Sequence, residues 1–303
     1  MELEFKPVVA GDIDRLRPFY GLRPNKTCDS VFLDSFLWKD YYHVQCAVSE
    51  GRAVLWLMEK DGQVSTAMPL CREEDLPYFF QQMVDYFSGV LHKPFYISLA
   101  DEEAVQYLNL DPALFEVEEQ VDLKDYLYSG EELRKLEGKK FVKKRNHLNG
   151  FKRTYEGRYE YRRLCCSDRH EVWQFMERWR QHKEEVGAME LSLDYEVAGI
   201  HDILKNCSSL YVRMAGVYID GQLEAFTIGS LNVRENMAVI HIEKANPEIR
   251  GLYQFINQQF LINEFPEAEL VNREDDVGME GLRKAKMSYC PIGFARKYMV
   301  RER

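Results

Sequence analysis

The sequence predicts an α+β protein in which one arrangement of elements occurs twice. In each half of the chain, two apolar runs separated by an Asp-Gly turn predict a β-hairpin, and a helix and a strand follow it. Both turns contain the triplet Asp-Gly-Gln, at residues 61–63 and 220–222. A chain of 303 residues with 46% hydrophobic residues can build two cores of ordinary domain size. We therefore expect two domains, residues 1–128 and 129–303, each with a mixed sheet flanked by helices.

The elements of the first half follow from hydrophobic periodicity. The patterns predict a strand at 3–7, helices at 12–19 and 30–42, a hairpin of 52–58 with 63–70, a helix at 75–87 and a strand at 95–100. The helix at 75–87 carries its apolar residues on one face, so it should pack on the hairpin.

The second half repeats this order with one additional strand. The patterns predict a hairpin of 210–219 with 222–231, a strand at 237–244, a helix at 251–265, a strand at 269–273, then another helix and a C-terminal strand ending near Val300. Between the halves, Ser129 followed by Glu131 and Glu132 is typical of a helix start, so the junction should be helical from about Ser129.

Charge is distributed unevenly along the chain, whose net charge is −10. Residues 1–130 carry 11 basic and 23 acidic side chains, whereas residues 134–163 carry 12 basic and 3 acidic ones. Clustered Lys and Arg side chains attract polyanions such as RNA, lipid head groups or a nucleotide cofactor. The alternative is a solvated linker helix without a ligand.

Bulk properties exclude several classes of protein. No apolar run approaches the roughly 20 residues that span a bilayer, and the first residues lack a secretory signal pattern, so we expect a cytoplasmic protein. The seven cysteines include no CxxC pair, which gives no indication of a metal site. We expect free, buried thiols, including the adjacent Cys165 and Cys166.

One strand and the turn after it carry candidate chemistry. His241 and Glu243 are two residues apart on the strand at 237–244, so they should share a face, and they are candidate catalytic residues with Glu243 as general base. The alternative is that Glu243 pairs with an arginine for structural reasons. The turn 247–251 ends at Gly251 before a helix, where backbone N–H groups and Arg250 favour an anion.

A polar stretch at 271–289 forms a third candidate wall of the site. Polar residues of both signs at the end of a strand commonly line a cleft. Arg283, Lys284 and Lys286 on the following helix are candidates for binding phosphate or carboxylate. Salt bridges to the neighbouring Asp275, Asp276 and Glu280 are the alternative.

Three separated segments together resemble one protein family. These are the run 143–151, the segment 241–246 with Gly251, Tyr253 and Asn257, and the stretch 271–291 with Asn272, Arg273, Glu274, Leu282 to Lys286, Ser288, Tyr289 and Pro291. Together they are similar to bacterial proteins related to the C-terminal domain of phosphatidylglycerol lysyltransferase.

The resemblance implies a fold and an activity. It implies two tandem GNAT-like acyltransferase domains and a kinship with transferases that move an amino acid from tRNA to a lipid or a peptidoglycan precursor. In such enzymes an amine or hydroxyl of the acceptor attacks the acyl ester. The implied partners are tRNA and an anionic phospholipid surface, with the acceptor unidentified.

The resemblance and the residue patterns give one set of candidate side chains for binding substrate or phosphate. They are Lys143, Lys144, Arg145, Asn146, His147, Lys244, Asn246, Arg250, Gly251, Tyr253, Asn257, Asn272, Arg273, Glu274, Asp276, Arg283, Lys284, Lys286 and Tyr289.

Two other functions remain open at this point. One is a non-catalytic module that binds RNA or a nucleotide. The other is a coenzyme A-dependent N-acetyltransferase with acyl-CoA as donor. Against the latter, the turn at 250–253 lacks the Gln/Arg-x-x-Gly-x-Gly/Ala spacing of the pyrophosphate loop in ordinary GNAT enzymes.

Overall fold

Three β-sheets and ten α-helices form the part of the chain that the computed structural model describes, residues 3–185 and 193–303. The predicted α+β class is confirmed. The strands are β1 Lys6–Pro7, β2 Gln45–Ser49, β3 Ala53–Lys60, β4 Gln63–Ser65, β5 Tyr96–Asp101, β6 Phe115–Glu119, β7 Asp125–Ser129, β8 Tyr159–Arg163, β9 Arg213–Ile219, β10 Gln222–Asn232, β11 Met237–Ala245, β12 Leu270–Asn272, β13 Gly293–Ala295 and β14 Lys297–Glu302. The helices are α1 Ile13–Tyr20, α2 Phe32–Leu37, α3 Leu76–Tyr86, α4 Glu102–Leu108, α5 Gly130–Lys135, α6 Val142–Thr154, α7 Arg169–Glu185, α8 Leu193–Asn206, α9 Leu252–Glu264 and α10 Glu280–Met287.

Both predicted hairpins form. β3 pairs with β4 around the Asp61-Gly62 turn, and β9 pairs with β10 around Asp220-Gly221. All four turn residues have positive φ, the conformation that an Asp-Gly hairpin turn requires. As expected, the apolar face of α3 is buried against the hairpin and β5, in a core that includes Phe79, Leu55 and Ile97.

A seven-stranded sheet dominates the second half, in the order β13-β7-β12-β11-β10-β9-β8. Only β11 and β12 are parallel neighbours, and they pair only at Met237–Val239 with Leu270–Asn272. Beyond Val239 and Asn272 the two strands separate, so the later residues of β11 line a gap in the sheet.

The two halves of the chain share sheets and a core. The last strand, β14, lies between β5 and β6 in a three-stranded sheet, whereas β7 belongs to the seven-stranded sheet. One hydrophobic core contains Phe36 of α2 together with Ile200 of α8. The division at residue 128 stays a prediction, and the strand pairing shows that both halves depend on each other for packing.

A β-bulge at His241 corrects the expected orientation of the candidate catalytic pair. Ile228 is opposite Ile242 and Gly229 is opposite Ile240, so His241 is an extra residue in β11. A bulge shifts the alternation of side chains by one residue. His241 and Glu243 therefore face opposite sides of the sheet, contrary to the prediction.

Two further expectations are corrected. Cys166 forms a disulfide with Cys207, so these two thiols are not free, and Cys165 is exposed. The junction helix is broken into α5 and α6, because Leu136 and Gly138 adopt positive φ between them. Within the described ranges, no helix combines the length and hydropathy needed to cross a membrane.

Candidate functional site

Because of the bulge, the candidate residues form two clusters on opposite faces of the seven-stranded sheet. His241 and Glu274 face the first half of the chain, where Asp34 of α2 approaches them. Glu243 and Arg273 face α9, where α6 and α10 also pack. We call these the His241 cluster and the Arg273 cluster.

In the His241 cluster, the imidazole is completely buried. Nε2 lies 2.7 Å from Ser230 Oγ, and Nδ1 lies 3.0 Å from Glu274 Oε1. Burial lowers the pKa of His241 to about 3, so the ring is neutral. Burial, reinforced by Asp125, raises the pKa of Glu274 well above its usual range. Because the ring is neutral, one of its two nitrogens donates and the other accepts, so the contacts with Ser230 and Glu274 fix the orientation of the imidazole.

An acidic pocket adjoins this cluster. Asp34 is only 7% exposed and forms no ion pair with any described residue, whereas Asp101 is paired with Arg23 at 2.6 Å. Burial and the neighbouring Asp29 raise the pKa of Asp34 well above its ordinary value. The pocket is also lined by the aromatic side chains Trp38, Tyr42 and Trp56. Carboxyl groups beside aromatic faces are the groups that bind organic ammonium ions.

Three groups at the pocket's edge have ligand atoms close enough to share one ion. Cys28, Asp34 and Glu274 each offer one atom within 4.8 Å of the others. Burial raises the pKa of all three well above their ordinary values. Any cation that binds among these groups, a metal ion or an ammonium ion, must therefore displace protons from them.

In the Arg273 cluster, Glu243 is fully engaged. One carboxylate oxygen accepts from Arg273 Nη2 at 2.9 Å and the other from Asn257 Nδ2 at 2.8 Å. This geometry corresponds to the structural alternative for Glu243. Its predicted role as general base stays a prediction, and the geometry provides no free oxygen for it.

Tyr289 and Lys144 complete this cluster. The guanidinium carbon of Arg273 lies 4.7 Å from the Tyr289 ring centroid, and Lys144 Nζ lies 3.7 Å from it. Burial, and then the charge of Arg273, lower the pKa of Lys144 to about 8. The structure thus brings five predicted residues from three separate segments together, including Glu243 and Asn257.

The helix-start glycine is explained by packing. Gly251 has φ +89°, and a Cβ there would lie 2.3 Å from the carbonyl oxygen of His147, because α6 crosses the turn. The open side of the glycine is therefore filled by helix backbone. A ligand role for Gly251 stays a prediction.

We expect Gly251→Ala to destabilise the protein by about 2–3 kcal/mol, because the methyl group meets backbone in a conformation that already disfavours alanine. Urea denaturation followed by circular dichroism measures the change. Gly281→Ala is the matched control, since its Cβ would meet nothing within 4 Å and its φ is ordinary. Equal stability of the two variants would contradict this account of the turn.

The other candidate residues either are exposed on the surface or form contacts that stabilise the fold. Lys143, Asn146, Arg250 and Lys284 are exposed, and Lys284 pairs with Glu280. The remaining candidates contact other residues of the fold. Arg145 donates to the carbonyls of Leu136 and Gly138, and Lys286 donates to the carbonyls of Arg273 and Asp275. The other pairs are Lys244 with Glu196, Asn246 with Glu224, Asn272 with Asp125, and Arg283 with Asp276 and Asp122, while Tyr253 of α9 packs against the hydrophobic core.

Sequence reasoning missed the acidic pocket. Asp34 and Ser35 are the two polar residues in the otherwise apolar run 31–38, and Asp34 is buried with that run. An acid on the apolar face of a helix is costly unless it has a function or a partner. The position of Asp34 within an apolar run was the sequence signal that could have revealed the pocket.

Comparison with known proteins identifies the relatives of this chain. The family model described as phosphatidylglycerol lysyltransferase, C-terminal, matches residues 21–301. An uncharacterized protein of Mycoplasmoides gallisepticum is 28% identical over 178 residues, which are 58% of this chain and 56% of that protein. The chain thus matches little more than half the length of this curated relative.

Solved structures share the fold over nearly the whole chain. A conserved protein of unknown function from Bacteroides thetaiotaomicron is 27% identical, with full coverage of both chains and a TM-score of 0.90. L-PGS from Bacillus licheniformis is 14% identical, with 99% of this chain and 94% of that chain covered and a TM-score of 0.69. FemX and a tandem GNAT protein from the clavulanic acid pathway share the fold at TM-scores of 0.64 and 0.50. The predicted tandem GNAT-like fold is therefore confirmed.

Proposed function

Because this chain belongs to the family of the phosphatidylglycerol lysyltransferase C-terminal domain, we propose that it transfers an aminoacyl group from tRNA to a hydroxyl or amine acceptor. The observation that carries the proposal is the acidic pocket beside Glu274. An aminoacyl ester presents an ammonium group next to its carbonyl, and Asp34 is a buried acid that forms no ion pair with any described residue.

The protonation of Asp34 and Glu274 can respond to the binding of an ammonium group. In the free protein, burial and neighbouring carboxyl groups raise the pKa of Asp34 and of Glu274 and so favour their protonated forms. An ammonium ion that enters between them favours the ionised carboxylates and lowers both pKa values. Binding of the aminoacyl group thus converts Glu274 into the carboxylate that a general base requires.

The chemistry then needs only one proton carrier. The acceptor oxygen or nitrogen forms a bond with the ester carbonyl carbon, and the bond from that carbon to the ribose oxygen breaks. Glu274 takes the acceptor's proton and returns it to the ribose oxygen. His241 is a positioning residue, since its ring is inaccessible. When Glu274 is ionised, Nδ1–H of the neutral ring donates to it and Ser230 Oγ–H donates to Nε2.

The exposed basic residues on and beside α6 offer a surface for a phosphate-rich donor such as tRNA. Lys139, Lys143 and Arg153 are exposed on and beside α6, in the segment with the strongest positive charge. Phosphate contacts from such side chains position nucleic acids without reading their sequence. A phospholipid acceptor also presents phosphates, which the same side chains can contact.

The test is a transfer assay with tRNA charged with a mixture of labelled amino acids. We expect the chain to speed the loss of label from tRNA and to move it to one of two acceptor arms, phosphatidylglycerol vesicles or small amines. Loss no faster than with heat-inactivated chain would overturn the proposal. Stabilisation by acetyl-CoA combined with labelled acetyl transfer would favour the coenzyme A alternative instead.

A further inference from the structure

Two cations contact the ring of Tyr289 on the α9 face of the sheet. Lys144 reaches it from α6, with Nζ 3.7 Å from the ring centroid, and Arg273 reaches it from the end of β12, at 4.7 Å. The tyrosine is 5% exposed, whereas Lys144 is half-buried at the edge of the cluster. Three elements thus converge around one aromatic ring.

The charges of this cluster do not balance. Glu243 is the carboxylate that pairs with Arg273, and Asn257 holds its second oxygen. Among the described residues, Lys144 has only the neutral Ser288 hydroxyl as a hydrogen-bond partner, at 2.6 Å. The titratable groups that act on its charge are Arg273, Cys290 and Glu243. One positive charge therefore remains in a partly dehydrated place, where a counter-charge is worth more than in water.

Two polar atoms inside the cluster also lack partners. Arg273 Nη1 and the Tyr289 hydroxyl are buried without a hydrogen bond of good geometry to any described residue, although the hydroxyl lies close enough to the Arg273 guanidinium and to Gln254 to interact with both. Buried donors in native proteins are nearly always satisfied by protein, water or ligand. Unused donors beside a surplus positive charge match a ligand whose atoms are all acceptors.

We propose that Lys144, Arg273 and Tyr289 form a binding site for a single oxyanion, a phosphate ion or a phosphate monoester. The site is separate from the acidic pocket, which lies on the other face of the sheet, and it does not depend on aminoacyl transfer. A phosphate can accept from Lys144 Nζ, Arg273 Nη1 and the Tyr289 hydroxyl together, as charge-assisted hydrogen bonds.

Isothermal titration of the full chain at pH 7, in buffer without phosphate or sulfate, tests this site. We expect inorganic phosphate to bind at one site, and Lys144→Met and Tyr289→Phe each to weaken binding about tenfold or more. Lys152→Met is the control, because Lys152 is on the same helix but lies over Phe255, at 5.8 Å. Adenosine monophosphate and glycerol phosphate are added arms, and tighter binding of either identifies the natural source of the phosphate.

The pH dependence gives an independent readout. Since Lys144 has a pKa of about 8, phosphate affinity should fall by up to about tenfold per pH unit above that value. Lys144→Met should lack this dependence, and Tyr289→Phe, which removes only a hydroxyl, should keep it. Thermal melts verify that both variants fold. No saturable binding in the millimolar range, or unchanged affinity in both variants, would overturn the proposal.

Discussion

Arg273→Met should lower the free energy of unfolding by about 3–5 kcal/mol, the typical loss when one partner of a buried ion pair is removed. Burial opposes the charge of Arg273, and Glu243 counteracts it enough to keep the pKa of Arg273 above its ordinary value. Without the guanidinium, the Glu243 carboxylate would be left with Asn257 alone, at a side-chain exposure of 9%. Urea denaturation followed by circular dichroism measures the loss.

Two further variants separate the ion pair from general damage. Arg158→Met removes a pair with Asp220 in which both side chains are 54% exposed, so its effect should stay within about 1 kcal/mol. Adding Glu243→Gln to Arg273→Met should restore part of the stability, because it removes the unpaired charge. A double variant as unstable as the sum of its single changes would argue against a coupled pair.

Local sequence patterns were sufficient to predict most elements of the second half of the chain. The hairpin around Gly221, the strand at 237–245 and the helix after Gly251 all follow from turn residues and short-range periodicity. These signals depend on residues within one element. The pairing of β14 with β5 and β6 does not, because it joins segments almost 200 residues apart and no local pattern records a partner.

The candidate site shows the same limit at the level of single residues. Strand alternation placed His241 and Glu243 on one face, and one bulged residue separated them. The contacts of Lys144 with Arg273 and Tyr289 could not be predicted beyond two polar segments of the sequence, since they depend on how α6 crosses the sheet. The disulfide from Cys166 to Cys207 likewise depends on the packing of α7 against α8.

The two clusters divide the chemistry of the protein between opposite faces of one sheet. The Arg273 cluster has a surplus of positive charge. Asp34 and Glu274, in contrast, are buried acids that form no salt bridge with a lysine or arginine among the described residues, although the charge of Lys297, and for Glu274 also that of Lys286, favours their ionised forms. A donor such as aminoacyl-tRNA carries both an anionic and a cationic part. The arrangement therefore matches a substrate with separated charges better than a uniformly anionic one.

Glu274→Gln should reduce aminoacyl transfer by about 100-fold to 10,000-fold, the usual contribution of general acid–base catalysis, while leaving the fold intact. Because burial raises the pKa of Glu274 and favours its protonated form, a neutral amide can preserve its hydrogen bond, with the glutamine Nε2 donating to His241 Nδ1. The amide cannot take a proton from the acceptor, so the rate should fall without a matching change in binding of the donor.

The rate of label transfer from charged tRNA, measured with saturating acceptor, checks this expectation. Glu280→Gln is the matched control, since Glu280 is an exposed residue of α10 that pairs only with Lys284 among the described residues, and it should transfer at the wild-type rate. If Glu274→Gln kept that rate, the base would have to be another group. Asp34 is the nearest alternative, because its carboxyl oxygen lies within 4.8 Å of that of Glu274. If Asp34 is the base, Asp34→Asn should lower the maximal rate of transfer. If Asp34 only binds the ammonium group, the same change should chiefly raise the KM for the donor. The transfer assay therefore distinguishes the two roles.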